Sequence, residues 1–148
     1  MQHTRTWILI ADAQNARALA SIGPASTLEP VPGMGRTNAL PKTSDIMSDR
    51  QGRSFESTGG TRHPMESRTD PREQLKVRFA EDLVQALDAQ HAAGAFDRLV
   101  MVAPPQFLGE LRAALTPRLK AALHGDVDKD LTKVPDKEIR GHLGDILV

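Results

Sequence analysis

The run Leu99-Val100-Met101-Val102-Ala103 holds no side chain suited to facing water. A strand of that composition must be covered on both faces, the condition met in sheets with helices packed above and below. Pro104-Pro105 ends the run, and Phe107, Leu108, Leu111 and Leu115 follow at helical spacing. Thr116-Pro117 restarts a shorter helix with Leu119 and Leu123, and His124-Gly125 reads as its stop. Residues 127–132 then read as a last, half-exposed strand. Strand, helix pair and strand in that order form a crossover unit, which requires its two strands to lie parallel.

The first part of the chain has a different grammar. Thr6-Trp7-Ile8-Leu9-Ile10-Ala11 reads as a well-buried strand, and Asp12-Ala13-Gln14-Asn15 supplies turn chemistry, because Asp and Asn side chains bond the nearby backbone. Residues 16–22 are expected to return as a second strand, although their alanines also suit a helix. Gly23-Pro24 ends that segment, and residues 27–31 read as a third strand that its proline confines to an edge. Further on, Asp70-Pro71-Arg72-Glu73 has the form of a helix start, with Asp70 as N-cap, Pro71 at the first helical position and Glu73 where a capping box closes. Leu75, Phe79, Leu83 and Leu87 line one face of that helix, and Gly94 caps its end. A closing helix starts at Asp136 and carries Ile139, Leu143 and Leu147. A hairpin meander joined to a crossover unit predicts an α/β fold: one mixed β-sheet with helices on its faces, in a single domain spanning residues 1–148. Its predicted core contains Ile8, Ile10, Phe79, Leu83, Val100, Val102, Leu111 and Leu143.

Composition narrows the function. The chain has no cysteine, which excludes a disulfide framework and thiolate metal sites. No stretch reaches the ~18–20 apolar residues that cross a bilayer, and the apolar run near the N-terminus is too short for a signal peptide. The expected location is the cytoplasm, with no membrane partner. Nineteen basic residues balance nineteen acidic ones, which argues against indiscriminate binding to nucleic acid. One Trp, four Phe and no Tyr leave no base-stacking platform. The charge is locally uneven: residues 33–72 hold seven Lys/Arg and five Asp/Glu, residues 124–148 four and six.

Between residues 33 and 70 the periodicity is lost. A polar loop of this length inside one domain is either functional or mobile, and with few apolar anchors residues 36–68 are expected to be mobile in the free chain. It contains Asp49-Arg50-Gln51-Gly52-Arg53-Ser54-Phe55 and Gly59-Gly60-Thr61-Arg62-His63. The two glycines permit close backbone approach to a bound group, but neither a Walker lysine nor GxGxxG spacing accompanies them, so nucleotide binding is rejected there. His63 as a base with Ser54 or Ser57 as nucleophile has no supporting elbow motif.

Other candidates are weaker. Asp12 ends the first strand, where many α/β folds carry a metal-binding carboxylate, but an Asx-turn is the favoured reading. Asp97 starts its strand and belongs at the opposite end of the sheet if the two run parallel. Asp126, Asp128 and Asp130 alternate but lack the glycine and distal glutamate of a calcium loop. His3, His91, His124 and His142 lack metal-ligand spacing and read as surface or cap residues. No catalytic residue, metal or cofactor is assigned, and no feature sets an oligomeric state.

Taken together, the first strand with Asp12, residues 49–55, Arg62-His63, the Asp70-capped helix, Ala103-Pro104-Pro105 and Asp130-Leu131-Thr132-Lys133 resemble, nearly end to end, the bacterial family of proteins required for attachment to host cells. That family is similar to the middle domain of archaeal and eukaryotic peptide-chain release factors. The resemblance implies a ribonuclease-H-like α/β fold. In release factors a Gly-Gly-Gln loop precedes a long helix and assists hydrolysis of peptidyl-tRNA. Here Gly59-Gly60 precedes the Asp70 helix, but Thr61 stands in place of the glutamine, which argues against hydrolysis. The resemblance implies ribosome or tRNA as partner. Arg50, Arg53, Gly59, Gly60, Thr61, Arg62 and His63 are then the candidate RNA-binding residues, the arginines suiting phosphate because their planar fork donates paired hydrogen bonds. The alternative is a cytoplasmic factor that affects attachment indirectly, through a protein partner.

Overall fold

The computed structural model describes residues 4–22, 27–40 and 70–147. Strand β1 (Arg5–Ala11) turns back into β2 (Asn15–Ile22), antiparallel, with Ile8 opposite Leu19 and Ala11 opposite Ala16. The alanine-rich segment is therefore a strand: pairing with β1 outweighs the helical propensity of its alanines. Two short strands, β3 (Glu29–Pro30) and β4 (Arg36–Thr37), pair with β2 on the side away from β1.

Helix α1 (Pro71–Ala92) returns the chain to β5 (Arg98–Ala103), parallel to β1 with Ile8 beside Val100. Helices α2 (Pro105–Ala114) and α3 (Pro117–Ala122) carry it to β6 (Leu123–Asp128), parallel to β5. Helix α4 (Asp136–Leu143) and a 3-10 turn (Gly144–Leu147) follow. The sheet order is β3-β2-β1-β5-β6, with β4 also on β2; it is mixed, as predicted, and open.

Alternation along β1 and β5 divides the apolar side chains between the two faces. Trp7, Leu9, Leu99 and Met101 face α1, α2 and α3, whose Leu83, Leu87, Leu108, Leu111 and Leu119 cover them. Ile8, Ile10, Val100 and Val102 face the other way, under Leu131, Ile139 and Leu143. All eight predicted core residues are buried. Trp7 stacks on Phe96 at 4.7 Å between ring centroids, closing the edge of the larger cluster. His91 packs its ring against Phe96 at 5.1 Å. It lies half-buried in the last turn of α1, at the helix end as expected of a cap residue, and its Nδ1 is buried without a hydrogen-bond partner among the described residues.

Local signals mark the helix ends well. Asp70 accepts from the Arg72 backbone N–H at 2.9 Å, and Gly94 takes the positive φ, 85°, that ends α1. Glu73 does not close a capping box; it pairs with Lys76 at 2.9 Å. Thr116 caps α3 through the Leu119 N–H and donates to Asp88 at 2.7 Å, tying α3 to α1.

Two further expectations need correction. The last strand is Leu123–Asp128, not residues 127–132. Helix α3 stops at Ala122 and runs directly into the strand, and Gly125 lies inside the strand. A Cβ there would sit 2.5 Å from Cδ1 of Ile146, so the glycine serves long-range packing and not helix termination. Likewise β4 lies within the stretch taken as irregular from residue 33. Residues 41–69 lie outside the described residues, and with them most of the segment expected to be mobile.

Candidate functional site

The carboxyl ends of β1 and β5, adjacent and parallel, are where open α/β sheets offer a crevice. A cleft of about 470 Å³ opens there. One wall is the β1–β2 turn with Asp12 and Gln14, a second is the first turns of α1 with Arg72, Glu73 and Lys76, and the third is the start of α2 with Gln106, Phe107 and Glu110. Leu40 also lines it, so residues on either side of segment 41–69 border the same cleft.

Hydrogen bonds fix these walls. Asp12 Oδ1 accepts the N–H groups of Gln14 at 2.8 Å and Asn15 at 2.7 Å, which is the expected Asx-turn. Its Oδ2 accepts from the Thr132 hydroxyl at 3.2 Å, joining the turn to the loop before α4. Asn38 donates its backbone N–H to Gln14 O at 2.7 Å and its side-chain amide to Ala13 O at 3.1 Å and Leu75 O at 3.2 Å. One residue thereby fastens the chain beyond β4 to both the turn and α1.

Behind the turn, Arg17 of β2 holds the 130–136 loop. Its guanidinium donates to Asp136 at 2.8 Å, to Thr132 O at 2.6 Å and to Val134 O. The same Thr132 hydroxyl lies 2.7 Å from Asp130 Oδ1, so its one proton is shared between Asp12 and Asp130. The Asp130-Leu131-Thr132-Lys133 segment is thus a structural clasp, with Leu131 buried beneath it.

The remaining acidic candidates are structural. Asp97 lies at the amino end of the sheet, as expected, where Arg5 binds it through its backbone N–H at 2.8 Å and through its guanidinium. Those two interactions, the backbone bond first, hold its carboxyl below the usual carboxylate range. A lowered folded-state pKa contributes stability above the unfolded pKa, lost as pH falls through the folded one. Asp97→Asn should therefore be less stable than wild type at neutral pH by a small amount, since the pair is exposed. The difference should close in acid; melting temperatures from neutral pH down to pH 2 check it, and a gap that widens in acid counts against this assignment. Asp126 makes a two-bond pair with Arg112, both at 2.9 Å, raising the affinity of that guanidinium for its proton. Among the described residues no three His, Cys, Asp or Glu are grouped to hold a metal.

Residues 7–143 match the sequence profile of a family described as "Protein required for attachment to host cells". The chain belongs to that family. The host-attachment fold is similar to a solved archaeal structure, the translation termination factor aRF1, with a TM-score of 0.54 at 14% identity. The match covers 97% of this chain and 36% of the factor, so the host-attachment chain spans about a third of that protein's length. At that identity the likeness establishes the α/β fold alone. No curated protein sequence matches the chain. Among the described residues no helix is long and apolar enough to cross a membrane.

The predicted site residues Arg50, Arg53, Gly59, Gly60, Thr61, Arg62 and His63 lie outside the described residues. The cleft was not predicted. Its walls come from four separated stretches, and only the parallel pairing of β1 with β5 unites them.

Proposed function

We propose that this host-attachment family member is a cytoplasmic, ribosome- or tRNA-associated binding module that does not hydrolyse peptidyl-tRNA. The support is the likeness of nearly the whole chain to part of a translation termination factor. It is joined by a sequence fact: Gly59-Gly60-Thr61 stands shortly before the Asp70-capped helix α1, with Thr61 in place of glutamine. In this reading Arg50, Arg53, Arg62 and His63 contact phosphate, and Gly59-Gly60 lets the backbone come close.

Each neutralised phosphate releases condensed counterions, so binding should fall steeply with salt. Replacing Arg50, Arg53 and Arg62 with Ala should weaken tRNA or ribosome association and reduce the slope of log K against log salt by about 2 to 3. Ribosome co-sedimentation and tRNA binding across a salt series measure both. Equal binding by the triple variant, or no association of wild type at low salt, would remove the reading. The competing reading is a protein partner through which attachment to host cells is affected indirectly. Absence of RNA association would leave that reading in place.

A further inference from the structure

We infer that the cleft at the carboxyl ends of β1 and β5 takes an unpaired nucleobase, with a preference for bases carrying an exocyclic amine; this rests on the RNA-binding reading above. Its volume, about 470 Å³, is in the range of small-ligand sites. Its walls are preformed, because the Asp12 turn and the three Asn38 bonds hold the turn against α1.

The polar lining has a specific character once internal pairs are set aside. Both oxygens of Asp12 are engaged by the turn and by Thr132, and Glu73 is paired with Lys76. The side-chain amides of Gln14 and Gln106 and the carboxylate of Glu110 have no described hydrogen-bond or ion-pair partner. Two amides offer both donors and acceptors, and the carboxylate offers only acceptors. A base edge is a row of mixed donors and acceptors, which is how unstacked bases are read in single-stranded RNA. Guanine presents adjacent N1–H and N2–H₂ donors to a carboxylate, and adenine and cytosine each present an amine. Uracil has a single N3–H between two carbonyls that a carboxylate repels. Net charge in the cleft does not favour a bare phosphate, so the base and not the backbone is the matching part. Pro104, Leu40 and the small exposed edge of the largely buried Phe107 supply apolar lining for its ring.

The test uses the full chain and four RNA hexamers identical except for G, A, C or U at one central position. Fluorescence anisotropy at low salt should rank G tightest and U weakest, by about tenfold, the size of one good base contact. Glu110→Gln should erase the discrimination, and Gln14→Ala with Gln106→Ala should weaken all four. In each case the salt slope should stay at the wild-type value, because no phosphate contact is removed. All three residues lie on the surface of the cleft, and unchanged melting temperatures confirm that the variants fold. Equal binding of the four hexamers by wild type, or wild-type affinities and ranking in both variants, overturns this inference and leaves the RNA reading standing. No binding of any hexamer, ribosome or tRNA by wild type removes the RNA reading and this inference with it.

Discussion

Phe79→Ala should destabilise the protein by about 3–5 kcal/mol, the usual cost of truncating a buried aromatic. Phe79 is 7% exposed and leans on Phe107 of α2 with ring centroids 5.9 Å apart. It sits on the face of α1 that also presents Leu83 and Leu87 to the sheet. Removing the ring opens a void between α1 and α2 that neither helix can close without leaving the strands. For a domain of this size the melting temperature should drop by about 10 °C or more. Phe79→Leu, which keeps most of the volume, should lose much less. A denaturation midpoint unchanged in the alanine variant would show that the helix does not pack in this register. Because α1 and α2 are also two walls of the cleft, the alanine variant should bind any cleft ligand less well even where it remains folded.

Among the charged residues described, Arg17→Ala should be the most damaging substitution, at about 2–3 kcal/mol. The guanidinium answers two main-chain carbonyls and a carboxylate, and hydrogen bonds to charged groups are worth more than neutral ones. Half-exposure of Asp136 discounts the ion pair itself; the carbonyls of Thr132 and Val134 carry most of the effect. Lysine should not rescue, since a single ammonium cannot span three acceptors set around a planar fork. The loss should be local before it is global. Amide exchange should accelerate at residues 131–136 first, because the clasp holding α4 over the second face of the sheet is released. Uniform protection of that loop in Arg17→Ala would contradict the role assigned to the clasp.

Much of this architecture was readable from local chemistry. Asp70-Pro71 and Gly94 bracket α1 because capping and positive φ are properties of one or two residues. The apolar run of β5 declared itself because a strand buried on both faces has no alternation to hide. Where the reading failed, the cause lay at long range. Gly125 looked like a helix stop, yet its small size is required by Ile146, twenty-one positions away. The strand at Arg36–Thr37 has no apolar pattern and exists because β2 offers an edge. The cleft was invisible for the same reason. Asp12 reads as a turn residue, Glu73 and Gln106 as helix starts, and only the sheet order gathers them. The basic loop, by contrast, was conspicuous in the sequence through its composition alone.

The alternation along β1 and β5 also bears on how this family can change over time. Ile8 and Val102 pack in one apolar cluster and Leu9 and Met101 in the other, although they are adjacent in the chain. The sheet acts as a partition between two separate packing problems. Substitutions on opposite sides are energetically separable, whereas those on one side must be accommodated together. The smaller compartment, closed by Leu131, Ile139 and Leu143, can therefore be rebuilt by compensating changes in α4 and the loop before it. The compartment under α1 and α2 has no such freedom, since every adjustment there also moves a wall of the cleft. Divergence among relatives is expected to concentrate on the α4 side, with α1 and α2 keeping their shape.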